Sequence, residues 1–369
     1  MKPFVPQKLP ITEVDWERLI PLIASANRSL AFFDGVLQGV SNPELLLSPM
    51  TTQEAVLSSR IEGTQATLGD VLKFEAGEEP PEIQRAEDIR EIMNYRRALR
   101  QAEQALKQKP FNLNLLKDLH ATLLDSVRGR NMARGRFRTE QNWIGPPGTP
   151  IEQAHFIPPE PGLVMEYLDN WEKYYHMERP DALVQLAVLH AQFEIIHPFL
   201  DGNGRLGRMI IPIFLYEKKL LSRPMFYLSA YLEEHRDEYI MRLRALGQVN
   251  DAWNSWIQFF LTAVEQQATI NAEKARSIIE LYNRLKEEVI ALTHSQFAVP
   301  LLDKMFARPV FQISQLRWKN MPTRPMLNNL ITKLKEAGIL KVLRQGSGRR
   351  GQVLIFTELV NITEGKKVV

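Results

Sequence analysis

Apolar positions recur at helical spacing along most of this chain. In residues 86–108, Ile89, Ile92, Met93 and Leu99 are separated by charged residues. This period of 3.6 residues predicts an amphipathic α-helix. Pro110 ends that pattern, and Asn112 is a suitable N-cap for the helix that follows.

The same kind of pattern continues through much of the remaining chain. The further predicted helices cover residues 161–176, 181–196, 209–220, 231–246 and 251–289. The helix at 181–196 should end at His197, because proline follows and disfavours a helical conformation in the residue before it. We therefore predict a mostly α-helical protein organised as a helical bundle.

Two stretches depart from this helical pattern. Residues 129–162 are dense in proline and glycine and contain the short extended runs FRTEQNWI and AHFIPP. They predict a short β-hairpin-like flap or a long functional loop, because irregular loops of this length are uncommon without a role. From about residue 295, a helix, a second helix beginning at Thr323 and two strands joined by QGSGRRGQ are typical of a winged helix-turn-helix.

The length of 369 residues predicts two or three domains. We place an N-terminal helical region at residues 1–110, a core domain at 111–265, a connecting helix at 266–294 and the winged-helix domain at 295–369.

Composition narrows the class of protein. The 44% hydrophobic and 24% charged residues are ordinary for a globular chain. There is no cysteine, which excludes disulfides, thiolate metal sites and cysteine nucleophiles. The N-terminus lacks a continuous apolar signal segment, and no later run approaches the roughly 18 apolar residues of a membrane span. We expect a cytoplasmic protein without a membrane partner.

Charge is distributed unevenly although the net charge is only +3. Residues 308–352 contain a single acid, Glu336. The basic residues of this segment are Arg308, Arg317, Lys319, Arg324, Lys333, Lys335, Lys341, Arg344, Arg349 and Arg350. This segment predicts contact with DNA phosphates, while a winged helix that docks on a protein remains the alternative.

The segment IIHPFLDGNGRLGR, residues 195–208, concentrates reactive side chains just before a predicted helix. Gly202 and Gly204 flank Asn203, so the backbone can adopt positive φ and present consecutive N–H groups to an anion. Arg205 and Arg208 share one helical face near the positive end of the helix dipole. An anion would relieve their repulsion.

Two further groups complete a reaction centre. Asp201, with phosphate oxygens and water, is suited to hold Mg²⁺. His197, with an ordinary pKa of about 6.5, can take a proton near neutral pH. Together these groups indicate phosphoryl or nucleotidyl transfer. A calcium-binding EF-hand is excluded because its acidic twelfth position falls on Pro212. An ordinary helix-connecting turn is the remaining alternative.

Residues 197–208 resemble the Fic motif, HPFx[D/E]GNGRxxR, at every defined position, and HAQFEII resembles the segment that leads into it. Fic proteins are helical and mostly transfer AMP from ATP to a Ser, Thr or Tyr hydroxyl of a target protein, releasing pyrophosphate. The resemblance makes His197 the base on that hydroxyl and Asp201 the Mg²⁺ ligand. The nucleotide-binding residues it implies are Gly202, Asn203, Gly204, Arg205, Gly207 and Arg208. In this scheme Asn203 orients phosphate oxygens, and the two arginines hold the β- and γ-phosphates.

An upstream segment, VLSSRIEGTQA, resembles the inhibitory helix [S/T]xxxE[G/N] of many Fic proteins through Ser58, Glu62 and Gly63. A carboxylate of Glu62 aimed at Arg208 would form a charge-assisted pair and occupy the γ-phosphate site. An ordinary helix end capped by Gly63 is the alternative.

The resemblance also implies partners. The run GRFRTEQNWIG followed by HFIPPEP is similar to the target-docking flap of the family. A later helix should place an aromatic near the adenine, and Tyr239 is the candidate, with Tyr231 as rival and core packing as the alternative. Modification of the chain's own hydroxyls and a homodimer are compatible with the family. So is an enzyme that removes AMP or transfers another phosphate-containing group. A nucleotide-sensing, DNA-binding regulator is the alternative from another class.

Overall fold

The structure, a computed structural model, describes residues 2–40, 42–126, 132–146, 148–348 and 350–368. Within these ranges the chain is mostly α-helical, as predicted. The N-terminal helices are α1 (Trp16–Gln38), α2 (Pro43–Leu46), α3 (Ser48–Ile61), α4 (Leu68–Glu75), α5 (Ile83–Leu106) and α6 (Leu113–Leu123). The central helices are α7 (Val164–His176), α8 (Ala182–Ile196), α9 (Asn203–Glu217), α10 (Ser229–Glu234), α11 (Arg236–Ala245) and α12 (Ala252–Thr293).

Helix α8 lies at the centre of the bundle. It is apolar on all sides and almost entirely buried, as expected for a helix surrounded by others. The indole nitrogens of Trp171 and Trp256 donate to its carbonyls at Leu189 and Ala187, each at 2.8 Å. The middle of α8 is thus held by side chains from α7 and α12.

Helices α1 and α12 are the long elements of the fold and pack against each other. The buried residues of α1 are Leu19, Ala26, Leu30, Phe33 and Leu37, a stripe at helical spacing. Helix α12 has 42 residues, which corresponds to roughly 63 Å. It continues without a break through the expected boundary at residues 265 and 266, so the core and the connecting helix share one element.

The remaining elements form a C-terminal module, residues 298–364. In order they are α13 (Ala298–Ala307), β1 (Val310–Gln312), α14 (Arg324–Glu336), β2 (Lys341–Arg344), β3 (Val353–Ile355) and α15 (Thr357–Glu364). The antiparallel sheet has the order β1-β3-β2, with Ile355 opposite both Val310 and Lys341. The two predicted helices and two predicted strands are present, whereas β1 and α15 escaped the sequence analysis. Arg349 lies outside the described residues.

The C-terminal module packs directly on the N-terminal region along a seam formed by residues 68–78 and residues 310–315, 344 and 353–360. Its apolar part is a cluster of Leu68, Leu72, Ala76, Val310, Val353, Ile355 and Val360. Its polar part includes amide hydrogen bonds from Gln312 to the carbonyl of Ala76 (2.7 Å) and from Gln315 to that of Glu75 (2.8 Å). The main apolar core itself runs without interruption from the N-terminal segment to α15.

Two predicted elements differ from the structure. The helix expected at residues 231–246 is interrupted at His235, between α10 and α11. In the described parts of the flap, residues 132–146 and 148–162, the hairpin is reduced to one antiparallel bridge between Ile144 and Phe156. The predicted flap residues 129–131 and 147 lie outside the described residues.

Among the described residues, no helix combines the length and the apolar character that a membrane crossing requires.

Candidate active site

The predicted motif forms the reversal between helices α8 and α9. His197 ends α8 in the left-handed conformation, with φ 49° and ψ 60°, and its N–H donates to the carbonyl of Phe193 (3.0 Å). Gly202 also has a positive φ, 79°, and immediately precedes the first residue of α9. These two left-handed residues turn the chain sharply, so the loop between them sits at the N-terminus of a buried helix.

The tautomer of His197 follows from its contact. Its Nδ1 lies 3.3 Å from the carbonyl oxygen of Glu194, which can only accept, so Nδ1 carries the proton. The lone pair is therefore on Nε2. Burial lowers the pKa of His197 to about 4. The imidazole is neutral near pH 7 and can accept a proton there.

The loop itself is clamped by two side chains. The Asn203 amide accepts from the N–H of Phe199 (2.9 Å) and donates to its carbonyl (2.8 Å). Nδ1 of His120 accepts from the N–H of Gly135 (2.9 Å), so its Nε2–H donates to the carbonyl of Asp201 (3.0 Å). The buried amide of Asn203, predicted to orient phosphate oxygens, is thus engaged in holding the loop.

Arg138 ties the flap to the end of α8. Its buried guanidinium donates to the carbonyls of His197 (2.9 Å), Pro159 (2.6 Å), Ile196 (3.3 Å) and Glu140 (3.3 Å). Burial lowers the pKa of Arg138 to about 10, so it remains charged at neutral pH. One side chain therefore fixes the position of both the imidazole and the flap.

Arg205 lies at the start of α9 with a partly used guanidinium. It is 4% exposed, and its Nη1 contacts Glu91 at 2.6 Å. Its Nη2 lies 3.5 Å from Asp201 Oδ1, which also accepts from the N–H of Gly202 (2.6 Å). Nε of Arg205 is buried without a hydrogen-bond partner among the described residues. An unsatisfied buried donor beside a helix N-terminus fits an anion that is bound during function.

The residues at this loop fit Mg²⁺ only together with a phosphate ligand. Within the described ranges no cluster of three or more His, Cys, Asp or Glu side chains is arranged to hold a metal. The Asp201 carboxylate is 45% exposed at the mouth of the loop. One carboxylate with phosphate oxygens and waters is the usual way in which proteins bind Mg²⁺.

Arg208 is held by helix α3, as the upstream motif predicted. Its Nη2 lies 2.6 Å from Oε1 of Glu62 and 2.7 Å from the carbonyl of Ser58, and its Nε donates to Ser58 Oγ (2.9 Å). Partial burial on its own would raise the pKa of Glu62, but Arg208 holds it below the usual value. Burial disfavours the charge of Arg208, whereas Glu62 holds its pKa above the usual value. The pair is ionised at neutral pH.

The Glu62 carboxylate occupies the space over the first turn of α9. A Cβ added to Gly204 would overlap Oε1 of Glu62. Glu62 reaches this place because α3 ends there, with Gly63 in the left-handed region at φ 95°. The helix end and the expected contact with Arg208 therefore occur together: Gly63 terminates α3, and Glu62 pairs with Arg208.

A second glutamate lies beside the motif. A Cβ on Gly207 would overlap the carboxyl of Glu194, so this glycine allows the carboxyl to pack against α9. Burial raises the pKa of Glu194 to about 8, and its Oε1 is buried without a hydrogen-bond partner in the described part of the chain. Glu194 is protonated at neutral pH.

Tyr239 lies in the core. It is 3% exposed, and its hydroxyl donates to Nε2 of His190 (2.9 Å), whose Nδ1–H donates to the carbonyl of Gly207 (3.1 Å). This is the core-packing alternative, and it leaves no open ring face for an adenine. Tyr231 is also buried and stacks on His235 with centroids 4.1 Å apart.

Sequence analysis found the motif residues but missed three side chains that support them. Arg138 and His120 act on residues far along the chain, and Glu194 looks like one polar position in an apolar helix. Two of them had a signal in the sequence. Glu194 is a charged residue in a predicted buried helix, and Arg138 is a charged residue in a predicted extended run.

Comparison with known proteins agrees with this geometry. A family model described as "Fic/DOC family N-terminal" matches residues 20–104, and one described as "Fic/DOC family" matches residues 110–215. Together they cover just over half of the chain, which belongs to the Fic/DOC family.

Similar curated proteins carry adenylyltransferase names. A "probable protein adenylyltransferase" of Aquifex aeolicus is 26% identical over 202 residues, 54% of this chain and 56% of that protein. The "protein adenylyltransferase Fic" of Drosophila melanogaster is 27% identical over 162 residues, 42% of this chain and 30% of that protein. The chain thus spans about half of the Aquifex protein and under a third of the Drosophila protein.

Solved structures share the fold. A Fic family protein from Desulfovibrio desulfuricans superposes with a TM-score of 0.59 at 19% identity, covering 96% of this chain and 98% of that one. A Fic domain containing signaling protein from Bacteroides thetaiotaomicron gives 0.55 at 16% identity, covering 69% and 97%. At these identities the likeness establishes the helical Fic fold alone.

Proposed function

We propose that this chain is an auto-inhibited protein adenylyltransferase, which transfers AMP from ATP to a Ser, Thr or Tyr hydroxyl of a target protein. The observation that carries the proposal is the arrangement at the turn between α8 and α9. There a neutral His197 with a free Nε2 lies beside a glycine-lined helix N-terminus that is followed by two buried arginines. The names of the relatives support the same reaction.

In this proposal the triphosphate lies over residues 202–204, with its β- and γ-phosphates on Arg205 and Arg208. Nε2 of His197 takes the proton of the target hydroxyl. The hydroxyl oxygen then bonds to the α-phosphorus, the bond from that phosphorus to the bridging oxygen breaks, and pyrophosphate leaves. Asp201 would hold Mg²⁺, which neutralises charge on the phosphate oxygens when bound.

The second part of the proposal is inhibition by Glu62. Its carboxylate is 2.6 Å from Nη2 of Arg208 and fills the space over Gly204. A γ-phosphate needs the same guanidinium and the same space, and two anions cannot share them without strong repulsion. ATP would therefore bind in an unproductive pose until Glu62 leaves.

The test uses α-labelled ATP and Mg²⁺ with purified protein and cell lysate. We expect Glu62→Gly to raise protein labelling at least about tenfold, since a hydrogen bond to a charged group contributes roughly 1.5–3 kcal/mol. The double variant Glu62→Gly/His197→Ala should abolish labelling. Glu62→Gln, which keeps the shape of the side chain and removes its charge, should give an intermediate rate.

Absence of label in all variants, despite measured ATP binding, would contradict AMP transfer and favour another phosphate-containing donor. Loss of label from an AMP-modified protein with wild type, but not with Glu62→Gly, would favour AMP removal, since Glu62 lies beside the proposed base. Intact-mass measurement after incubation with ATP would show whether the chain modifies itself. Sedimentation would show whether it forms the homodimer that the family resemblance allows.

A nucleotide-sensing regulator is the alternative from another class. It would bind ATP through the same arginines and transfer nothing. The free lone pair of His197 favours the enzyme, because a sensor has no use for a base. The variant His197→Ala should keep its ATP-dependent response if the protein is a regulator. It should lose AMP transfer if the protein is an enzyme.

A further inference from the structure

Helix α14 of the C-terminal module presents a polar face to solvent. Its apolar residues, Leu327, Leu330, Ile331 and Leu334, are buried. On the opposite side Arg324, Asn328, Asn329 and Thr332 are exposed. Arg324, Asn328 and Thr332 follow one another at intervals of four, so they form a single row along the helix. These side chains are capable of hydrogen bonding and are not needed by the fold.

The chain segment that contains α14 has a surplus of positive charge. Residues 308–352 contain ten basic residues and one acid. Among the described basic residues, Lys333 donates to the carbonyl of Leu292 (3.1 Å), Arg344 pairs with Glu78 (2.7 Å), and Arg317 donates to the carbonyl of its neighbour Leu316 (2.8 Å). The basic residues that remain exposed are Arg308, Arg317, Lys319, Arg324, Lys341 and Arg350.

The turn between strands β2 and β3 extends this surface. Within it Ser347 and Arg350 form an isolated antiparallel bridge, and Gly348 has a positive φ of 55°. The side chain of Arg350 is exposed at this tip, and Lys341 is exposed at the start of β2. A helix followed by a projecting basic hairpin is the arrangement by which winged helices contact a duplex.

We propose that the C-terminal module binds duplex DNA through α14 and the β2–β3 hairpin. The row from Arg324 to Thr332 spans about 12 Å, which fits along a few base pairs in a major groove. Arginine pairs well with guanine edges and asparagine with adenine edges, so Arg324, Asn328 and Asn329 read bases. Lys341 and Arg350 contact phosphates and set the salt dependence of binding.

This proposal does not depend on AMP transfer. DNA binding needs the exposed face of α14, whereas transfer needs the turn between α8 and α9. Failure of either activity in this chain therefore leaves the other testable.

The experiment is selection of bound duplexes from a random library by the full chain, followed by fluorescence anisotropy at several salt concentrations. We expect an enriched sequence. Asn328→Ala/Asn329→Ala should lose the preference for it while binding an unrelated duplex as wild type does. Arg350→Ala should weaken binding to every duplex and reduce the slope of log K against log salt by about 0.9.

Two control variants carry matched changes outside the module. Arg28→Ala removes one exposed positive charge from α1, and Asn250→Ala removes one exposed amide before α12. Both should bind DNA as wild type does, and circular dichroism should show all variants folded.

Three results would overturn the proposal. One is no retained duplex at low salt. Another is binding that Lys341→Ala and Arg350→Ala leave unchanged. The third is specific capture of a protein by this face in the presence of excess duplex, which would replace DNA as the ligand.

Discussion

At the scale of the residue, burial determines the protonation of the imidazoles around the motif. It lowers the pKa of His120 and His197 to about 4 and that of His190 to about 3. Each of these rings is therefore neutral at physiological pH, with a tautomer set by a backbone contact. In their neutral form, His120 forms hydrogen bonds that hold the loop and His190 forms hydrogen bonds within the core. The Nε2 lone pair of His197 is the one proposed to accept the proton.

The low pKa of His197 predicts that the rate of AMP transfer falls only at unusually low pH. A base acts in its unprotonated form, so activity is lost as pH falls through the pKa of the base. For Glu62→Gly the rate of labelling should stay nearly constant from pH 7 down to about 5.5 and fall closer to 4. Removing Glu62 strengthens this expectation, since its negative charge raises the pKa of His197. A half-maximal rate near pH 6.5 in initial-rate measurements would contradict it.

Arg138 should act as a positioning residue. We expect Arg138→Ala, in the Glu62→Gly background, to lower kcat about tenfold or more, because several charge-assisted hydrogen bonds to the loop and flap are lost. The KM for ATP should change little, since Arg138 lies away from the predicted phosphate cradle. Arg138→Lys should restore part of kcat.

Arg136→Ala is the matched control, two residues earlier on the same flap and exposed. Equal losses in Arg136→Ala and Arg138→Ala, or a loss confined to the KM for ATP, would argue against positioning.

The motif residues could be predicted because they lie in one contiguous segment whose types limit its chemistry. Contacts between distant segments could not. The row of Arg138 hydrogen bonds depends on how the flap folds over α8, and the burial of Tyr239 depends on His190, 49 residues away. A sequence pattern predicts which face of a helix is apolar, but it does not predict which helices pack against that face.

At the scale of the element, one face of helix α3 is held by contacts at both Glu54 and Glu62. Glu54, Ser58 and Glu62 recur at intervals of four and share a face. Glu54 accepts from the N–H (3.0 Å) and Oγ (2.6 Å) of Ser229 at the start of α10, and burial raises its pKa to about 7. Sequence analysis identified the last two positions through the motif and passed over the first, which fastens the same face one turn earlier.

Gly63, which follows the end of α3, can be compared with Gly35, which lies inside α1. An added Cβ meets nothing within 4 Å at either Gly63 or Gly35, but only Gly63 has a positive φ. Gly63→Ala should lower the free energy of unfolding by about 1–2 kcal/mol, the cost of a left-handed non-glycine residue. Gly35→Ala, inside α1, should raise it by roughly 0.5–1 kcal/mol.

Urea unfolding of both variants measures these changes. Gly63→Ala should also raise basal labelling above wild type, because it loosens the helix end that carries Glu62, while Gly35→Ala should leave labelling unchanged. Shifts of the same sign in both variants would refute the conformational explanation.

At the scale of the whole molecule, the apolar core is continuous across the expected domain boundaries. Helix α12 runs from the core region through the expected connecting helix and packs against α13, α14 and α15, and the seam joins the C-terminal module to α4. Composition and length suggested several domains, as chain length commonly does. They could not show that the module shares its core with the helix carrying Glu62, since this depends on which surfaces pack.

The seam predicts long-range control of basal activity. Gln312→Ala/Gln315→Ala removes the amide hydrogen bonds to the carbonyls of Ala76 and Glu75 at the end of α4, the helix that follows α3 in the chain. We expect basal labelling to rise a few-fold as the α3–α4 region loosens. Arg284→Ala, which removes an exposed ion pair between α12 and α15, should have no effect. An unchanged basal rate in the double variant would show that the seam is passive.

This seam has a consequence for any molecule that the C-terminal module binds. If release of Glu62 alters the packing across the seam, a ligand of the module that prefers one packing changes the affinity for ATP by some factor. By thermodynamic necessity ATP then changes the affinity for that ligand by the same factor. Titrating each ligand in the presence of the other would give one coupling free energy from two independent directions.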